Sequence, residues 1–332
     1  MRAYVLEKSE ERPRLSERPD PAPGPGEVLV RTTAVAVHPV DLETAAGGNA
    51  MLLPAKRPFV PGVDFVGEVE ALGAGVSDLG AGDVVYGYRG IAAQGAFAEL
   101  LAVPRAELAR APAGHEALEL ACLPLPGLCA LQALDDAGLE GQLRVLVHGG
   151  AGGVGLIALQ VFARLGHEVL TTASAKDTEG LRALGAAQVI DYRSTRFEEV
   201  ARAIDLVFDT VGGDTLSRSF AVTRAGGAVV SLRATPPAPA LRAAGLKVPA
   251  PMAALLPLLS WRARRRARAA GVRLVPQVTV ASGARLGTLS ELGAQRPFET
   301  VRDTAFPFDR LSAAMDRAAS GEARGRVVLT AP

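Results

Sequence analysis

The 332 residues carry 36 Lys and Arg against 35 Asp and Glu, a formal net charge of +1, with 48% hydrophobic and 21% charged positions. That balance excludes wholesale disorder and any global field suited to nucleic acid. The length allows two domains, each with its own core.

Met1-Arg2-Ala3-Tyr4 leads into a strand-like start without the apolar region of a signal peptide. Residues 1 to about 117 read as β-rich, with strands at 28–37, 63–71, 83–86 and 96–103. Gly- and Pro-rich turns such as "PAPGPGE" and "LGAGVSDLGAGD" punctuate them. Short strands joined this way predict a closed or nearly closed barrel. Two cysteines, Cys122 and Cys129, lie in apolar company; they give no disulfide framework and suit a reducing, cytoplasmic compartment.

From about 118 strands and helices alternate. Strands are expected at 143–148, 167–173, 187–190, 204–209, 227–232 and 272–280, with helices at 153–165, 176–184 and 213–223. Apolar strands separated by helices predict a parallel sheet covered on both faces, a doubly wound Rossmann arrangement. The connection from 233 to 271 is long. Within it "VPAPMAALLPLLSW" is followed directly by "RARRRARAAG". The apolar run is too short to span a bilayer and holds three prolines. The expectation is a helical excursion folded onto the protein with its arginines in water; the other reading is a basic anchor lying on a membrane. The last stretch, "GRVVLTA", reads as a strand returning to the barrel.

The segment "LRVLVHGGAGGVGLIALQVFARLG" changes period halfway. Leu143 to Val147 suits a buried strand, and Val154, Ile157, Val161 and Leu165 mark one helix face. Between them Gly150, Gly152 and Gly155 have the G-x-G-x-x-G spacing, flanking Gly153 and Val154. In a strand–turn–helix context this spacing points to dinucleotide binding, with amide hydrogens and the helix dipole facing a diphosphate. A ligand-free βα corner is the alternative. At the end of the next strand, "EVLTTASAKD" offers no acid to accept from a ribose 2′-hydroxyl. Lys176, with the hydroxyls of Ser174 and Tyr192, suits a 2′-phosphate, so NADP(H) is expected over NAD(H). Asp177 beside Lys176 opposes that choice, and Lys176 as a solvated surface residue is the alternative.

The motifs "VLVHGGAGGVG", "LGAAQVIDYR", "DLVFDTVGGDTLSRSF", "PGVDFVGEVEALGAGVSDLGAGDVVYG" and "GAFAELLAV" resemble the zinc-independent quinone oxidoreductases of the medium-chain dehydrogenase/reductase superfamily. The resemblance covers nearly the whole chain and weakens between about 234 and 300. It implies an α/β protein: a GroES-like β-barrel catalytic domain (1–117 and 297–332) and a Rossmann NADP(H)-binding domain (118–296), with the active site in the cleft between. It also implies homodimers joined through the last Rossmann strand, near 272–280.

Zinc-containing members of the superfamily place a cysteine where this chain has His38, and His-Glu where it has Val63-Asp64. Valine cannot ligate, and the four-cysteine structural zinc lobe is missing from the sequence. His38, His115, His148 and His167 are scattered without metal-ligand spacing. Without a Lewis acid, an acceptor with its own electron sink is the suitable substrate: a quinone or an α,β-unsaturated carbonyl.

By family position, His38 stands at the nicotinamide side, where many relatives have asparagine. It would either donate to the substrate oxyanion or be a packed, orienting residue. Cys129 sits where relatives place threonine against the carboxamide; nothing cationic lies nearby in sequence to make it a nucleophile. Gly152, Gly153 and Val154 match the pyrophosphate contacts, and Ser174, Lys176 and Tyr192 the adenosine-phosphate positions. Thr210 and Val211 match the adenine and ribose site, and Leu232 the nicotinamide site; each of these three would otherwise be sheet core. Val40, Glu43, Tyr86 and Tyr88 are the candidate substrate-pocket residues, the two tyrosines being equally suited to packing. The leading expectation is NADPH-dependent reduction of a quinone or enone. A biosynthetic tailoring enoyl or ketone reductase with a bulky substrate, and a catalytically idle NADPH-binding protein, are the competing readings.

Overall fold

In a computed structural model of the chain, residues 1–8, 10–48, 50–53, 57–300, 302–323 and 325–331 are described, without the side chain of Arg302. The chain forms two compact units. The first comprises Met1–Leu128, Ala244–Lys247 and Val280–Pro332; the second comprises Cys129–Ala243 and Val248–Thr279.

In the first unit the strand Glu27–Val37 is the hub. Its N-terminal half pairs antiparallel with both Asp64–Leu72 and Leu100–Pro104, and its C-terminal half with Arg326–Thr330. Asp64–Leu72 continues to Val84–Tyr88 and Leu108–Arg110, and Arg326–Thr330 pairs in parallel with Arg302–Pro307. The chain's final strand therefore completes the sheet begun near its start. Val35, Phe65, Phe97, Leu108, Leu311 and Leu329 share one buried core.

The strand expected at 96–103 is displaced to Leu100–Pro104. Gln94 and Gly95 have positive φ, and the backbone of Ala96–Glu99 turns to other partners: the Phe97 amide donates to Pro61 O, and Ala98 bridges Ala3. The helix Gly283–Gln295 belongs to this unit, whereas the division read along the sequence placed it with the nucleotide-binding sheet. Its packing explains the difference. A Cβ on Gly127 would lie 2.3 Å from Leu289, and one on Gly283 would lie 2.5 Å from Leu108 O.

The second unit holds six strands, all paired in parallel. Their spatial order is Ala186–Asp191, Glu168–Ala173, Arg144–His148, Ile204–Asp209, Thr223–Ser231 and Arg273–Pro276. Numbered within the unit this is 3-2-1-4-5-6, the doubly wound order that binds ligands beyond the carboxyl ends of strands 1 and 4. Val145, Leu146 and Val147 are wholly buried, as a strand covered on both faces requires. The sixth strand is shorter than the expected 272–280. The helix Pro124–Ala137, not predicted, begins with "PLPG".

Candidate functional site

The turn after the strand Arg144–His148 is shaped by close approach. Gly149 has φ +75°, a region that glycine enters without strain. A Cβ on Gly150 would lie 2.0 Å from Thr171 Oγ1, and one on Gly155 would lie 2.2 Å from Gly149 O. Neither position accepts a side chain. Gly152 is exposed, and its amide closes the turn on Gly149 O at 2.9 Å. The helix Gly155–Arg164 follows, with Val154 as a helical N-cap that provides no side-chain cap. The half-buried Gly153 and Val154 amides find no acceptor among the described residues. Free amides at a helix start, with the dipole behind them, form an anion cradle.

A buried histidine, not assigned a role from sequence, holds this turn from beneath. Thr172 Oγ1 accepts the Gly149 amide at 3.1 Å and lies 3.2 Å from His148 Nδ1. Ser219 Oγ donates to Thr215 O at 2.7 Å and lies 3.0 Å from His148 Nε2. With Ser219's proton spent on Thr215, Nε2 must carry the imidazole hydrogen; Nδ1 then accepts from Thr172. Burial, ahead of the neighbouring Asp209 charge that opposes it, pushes the His148 pKa down to about 4. The ring is neutral and packs edge-on against Phe197, with centroids 4.6 Å apart.

Asp209, also not singled out from sequence, organises the opposite side. Its Oδ1 accepts the Val211 and Gly212 amides at 3.1 and 2.9 Å, and its Oδ2 accepts from Ser231 Oγ at 2.7 Å. Thr210 Oγ1 donates to His148 O at 2.7 Å, so its hydroxyl is committed to the turn. Val211 is left 52% exposed, unusual for a valine at a strand end, and Leu232 is half-buried with its amide on Asp209 O. Neither is simple sheet core.

At the end of the strand Glu168–Ala173, Lys176 is exposed and makes no ion pair among the described residues. The Ser174 hydroxyl is not free: it donates to Asp177 Oδ2 at 2.5 Å. Tyr192 is 60% exposed, and the Arg193 guanidinium, which sequence reading passed over, lies 5.9 Å from its ring centroid. The Cys129 sulfur is buried and lies 3.1 Å from Thr279 Oγ1, while its carbonyl accepts from Gln277 Nε2.

The first unit holds a buried cluster of titratable side chains. His38 is the N-cap of the helix Pro39–Ala45 and is wholly buried. Its Nε2 lies 2.8 Å from Asp64 Oδ2, which also accepts the Leu125 amide; its own amide donates to Asp41 Oδ2 at 2.8 Å. Burial lowers the His38 pKa, Arg326 lowers it further, and Asp64 opposes both. Burial pushes the Asp41 carboxyl up to about 8 against the His38 amide bond that favours its charged form. With no exposed surface and Nε2 turned to Asp64, His38 has the geometry of a packed, orienting residue. Val40 is half-buried and Glu43 exposed on the same helix. Tyr86 is wholly buried and its hydroxyl donates to Leu286 O at 2.8 Å, which makes it packing. Tyr88, also buried, lies in register opposite Asp64 and so on the same sheet face.

Residues 24–113 match the alcohol dehydrogenase GroES-like domain, and residues 184–329 match the zinc-binding dehydrogenase family. The quinone oxidoreductase from Coxiella burnetii has the same fold, with a TM-score of 0.80, 28% identity and 99% coverage of both chains. The chain has the medium-chain dehydrogenase/reductase fold, a GroES-like domain plus a Rossmann-like parallel sheet, and quinone oxidoreductases are among the proteins it resembles. A mycobacterial structure complexed with NADPH gives a TM-score of 0.76 at 27% identity, covering 99% of each chain. The 2-methylene-furan-3-one reductase of Solanum lycopersicum is 35% identical over 221 residues, 64% of this chain and 56% of that protein. The match thus spans little more than half of that relative.

The medium-chain dehydrogenase/reductase fold admits both a zinc ion and a nicotinamide dinucleotide, and the two fit differently here. Among the described residues no group of three His, Cys, Asp or Glu side chains is arranged to hold a metal ion. Val63, buried beside Asp64, offers no ligand. The described residues do not fit a zinc centre. The glycine turn, with its two unpaired amides, does fit a dinucleotide diphosphate.

Proposed function

We propose that the chain is an NADPH-dependent reductase of quinones or α,β-unsaturated carbonyls. The observation that carries this reading is the turn at 149–155: the backbone is crowded where Gly150 and Gly155 stand, and two amides are unpaired at the helix start. The Gly153 and Val154 amides would hold the diphosphate, with Gly150, Gly152 and Gly155 keeping the turn open to it. Lys176 would take the 2′-phosphate, with Arg193 and Tyr192 beside it; Ser174 would serve only by exchanging its Asp177 partner. Thr210 and Val211 would border the adenine-side ribose and Leu232 the nicotinamide. Cys129 would face the carboxamide, with Thr279 supplying the hydroxyl that cysteine lacks.

When bound, the reduced nicotinamide supplies a hydride. An enone or quinone then spreads the resulting negative charge into an enolate or hydroquinone oxyanion, and water supplies the proton; no Lewis acid is required. Val40 and Glu43 would contact this acceptor. His38, fixed by Asp41 and Asp64, would orient the helix that carries them. We also assign a homodimer joined at the edge strand Arg273–Pro276. A reducing cytoplasm suits the two buried cysteines, which form no disulfide.

Cofactor selectivity tests the assignment. Titration of reduced-nicotinamide fluorescence should show NADPH bound more tightly than NADH, and Lys176→Glu should remove that preference while leaving NADH binding intact. Equal affinities in the unmodified protein would overturn the Lys176 assignment.

A further inference from the structure

We propose that the outward face of the helix Ala250–Ala269 docks on an anionic lipid bilayer surface. This goes beyond the reductase reading and does not depend on it. It adds an outward partner to the helical excursion expected from the sequence, whose buried stripe packs on the protein while most of its arginines are exposed.

The helix buries only a narrow stripe, Leu256, Ser260 and Ala267. Ala267 joins the core with Phe220, Val222 and Val272. The opposite face of the N-terminal half presents Leu255 (48% exposed), Leu258 (70%) and Leu259 (60%), followed by Trp261 (53%). Arg262, Arg265, Arg266 and Arg268 continue outward along the next two turns. None of the four has an acidic partner among the described residues. The sequence contains no Asp or Glu between Asp214 and Glu291. One helix face is therefore apolar and then cationic along its length, with the tryptophan at the junction. The Arg265 guanidinium lies 5.4 Å from the Trp261 ring centroid.

Apolar exposure on this scale marks an interaction site, and the charge selects the partner. A second copy paired symmetrically through this segment would offer the guanidiniums no carboxylate to face. An anionic bilayer satisfies both halves: leucines enter the acyl boundary, arginines meet lipid phosphates, and an indole suits the level between. One apolar insertion plus a polybasic patch is the pair of signals that gives stable peripheral attachment. No described helix is long and apolar enough to cross a membrane, so the contact is one of lying on the surface.

Trp261 is the only tryptophan, so its emission reports on this face alone. The full chain is titrated with phosphatidylcholine vesicles and with vesicles about a third phosphatidylglycerol. Expected with the anionic vesicles is a blue shift, quenching by brominated acyl chains, and weakening in high salt; neutral vesicles should give little change. The triple variant Arg262→Gln, Arg265→Gln, Arg266→Gln should weaken binding by about a hundredfold. Leu258→Ser with Leu259→Ser should abolish the shift. Both variants should keep the wild-type circular dichroism; brominated-lipid quenching of the unmodified chain decides the matter if either fails to fold. Unchanged Trp261 emission at saturating anionic lipid overturns the proposal. So does binding that the arginine variant leaves intact. A lipid-free emission shift that grows with protein concentration, tracks sedimentation and is lost in the leucine variant would assign the face to a second copy instead.

Discussion

The Thr172 hydroxyl lies 3.2 Å from His148 Nδ1 while accepting the amide of Gly149, so the first residue of the glycine turn is tied to a buried neutral imidazole. The tie works only while Nδ1 is bare. Protonating His148 sets its own hydrogen against the Thr172 hydroxyl and places a charge among Phe197, Thr172 and Ser219.

Stability should therefore fall in acid. The folded-state pKa of His148 is about 4, below the ordinary 6.5, so the unfolded chain binds more protons between those values. The contribution is complete above pH 6.5 and is lost as pH falls toward 4, by up to about 1.4 kcal/mol per pH unit. Urea unfolding between pH 7 and pH 4.5 should show this slope, and His148→Gln should flatten it.

Asp41 has the opposite sign. Its carboxyl is raised from 3.8 to about 8, so the folded state holds a proton that the unfolded state releases over that range. Stability is lost as pH rises through it. Asp41→Asn keeps an acceptor for the His38 amide and removes the titration. Its unfolding free energy should gain on the wild type steadily from pH 5 to pH 8.5.

Gly150→Ala should disable the turn. The new Cβ would lie 2.0 Å from Thr171 Oγ1, and the backbone would have to move. A loss of roughly 1–3 kcal/mol of stability is expected, with at least tenfold weaker NADPH binding. Adding Thr171→Ala removes the nearest clashing atom and should restore part of both. Unchanged NADPH binding in the single variant would separate the turn from the cofactor.

Tyr86→Phe should leave turnover unaltered. The hydroxyl donates to Leu286 O, which also accepts from Ser290 Oγ at 3.1 Å, so its loss removes one buried hydrogen bond and costs about 1 kcal/mol of stability. A changed KM for quinone with unchanged stability would return Tyr86 to the substrate pocket.

The parallel strands were readable from sequence because burial on both faces leaves uninterrupted runs such as Val145-Leu146-Val147, and glycines mark where backbone meets backbone. What escaped depended on partners distant in the chain. No helix is expected over 124–137, yet Pro124 opens one, and Gly127 makes room in it for Leu289, 162 positions away. Asp209 read as a strand end; only the fold brings the Val211 and Gly212 amides and the Ser231 hydroxyl onto its carboxylate. Leu256 and Leu258 are alike in sequence, and only the packing of the helix, which buries Leu256, Ser260 and Ala267, leaves Leu258 facing water. The neighbours of His38, Asp41 and Asp64, come into contact with it only in the fold.

The most direct test of the account is steady-state oxidation of NADPH and NADH with a quinone and an enone, before and after dialysis against a metal chelator. NADPH should be oxidised faster than NADH with at least one of the two acceptors, at a rate that chelation leaves unchanged. An absence of turnover with both acceptors, or activity that disappears on chelation and returns with zinc, would contradict it.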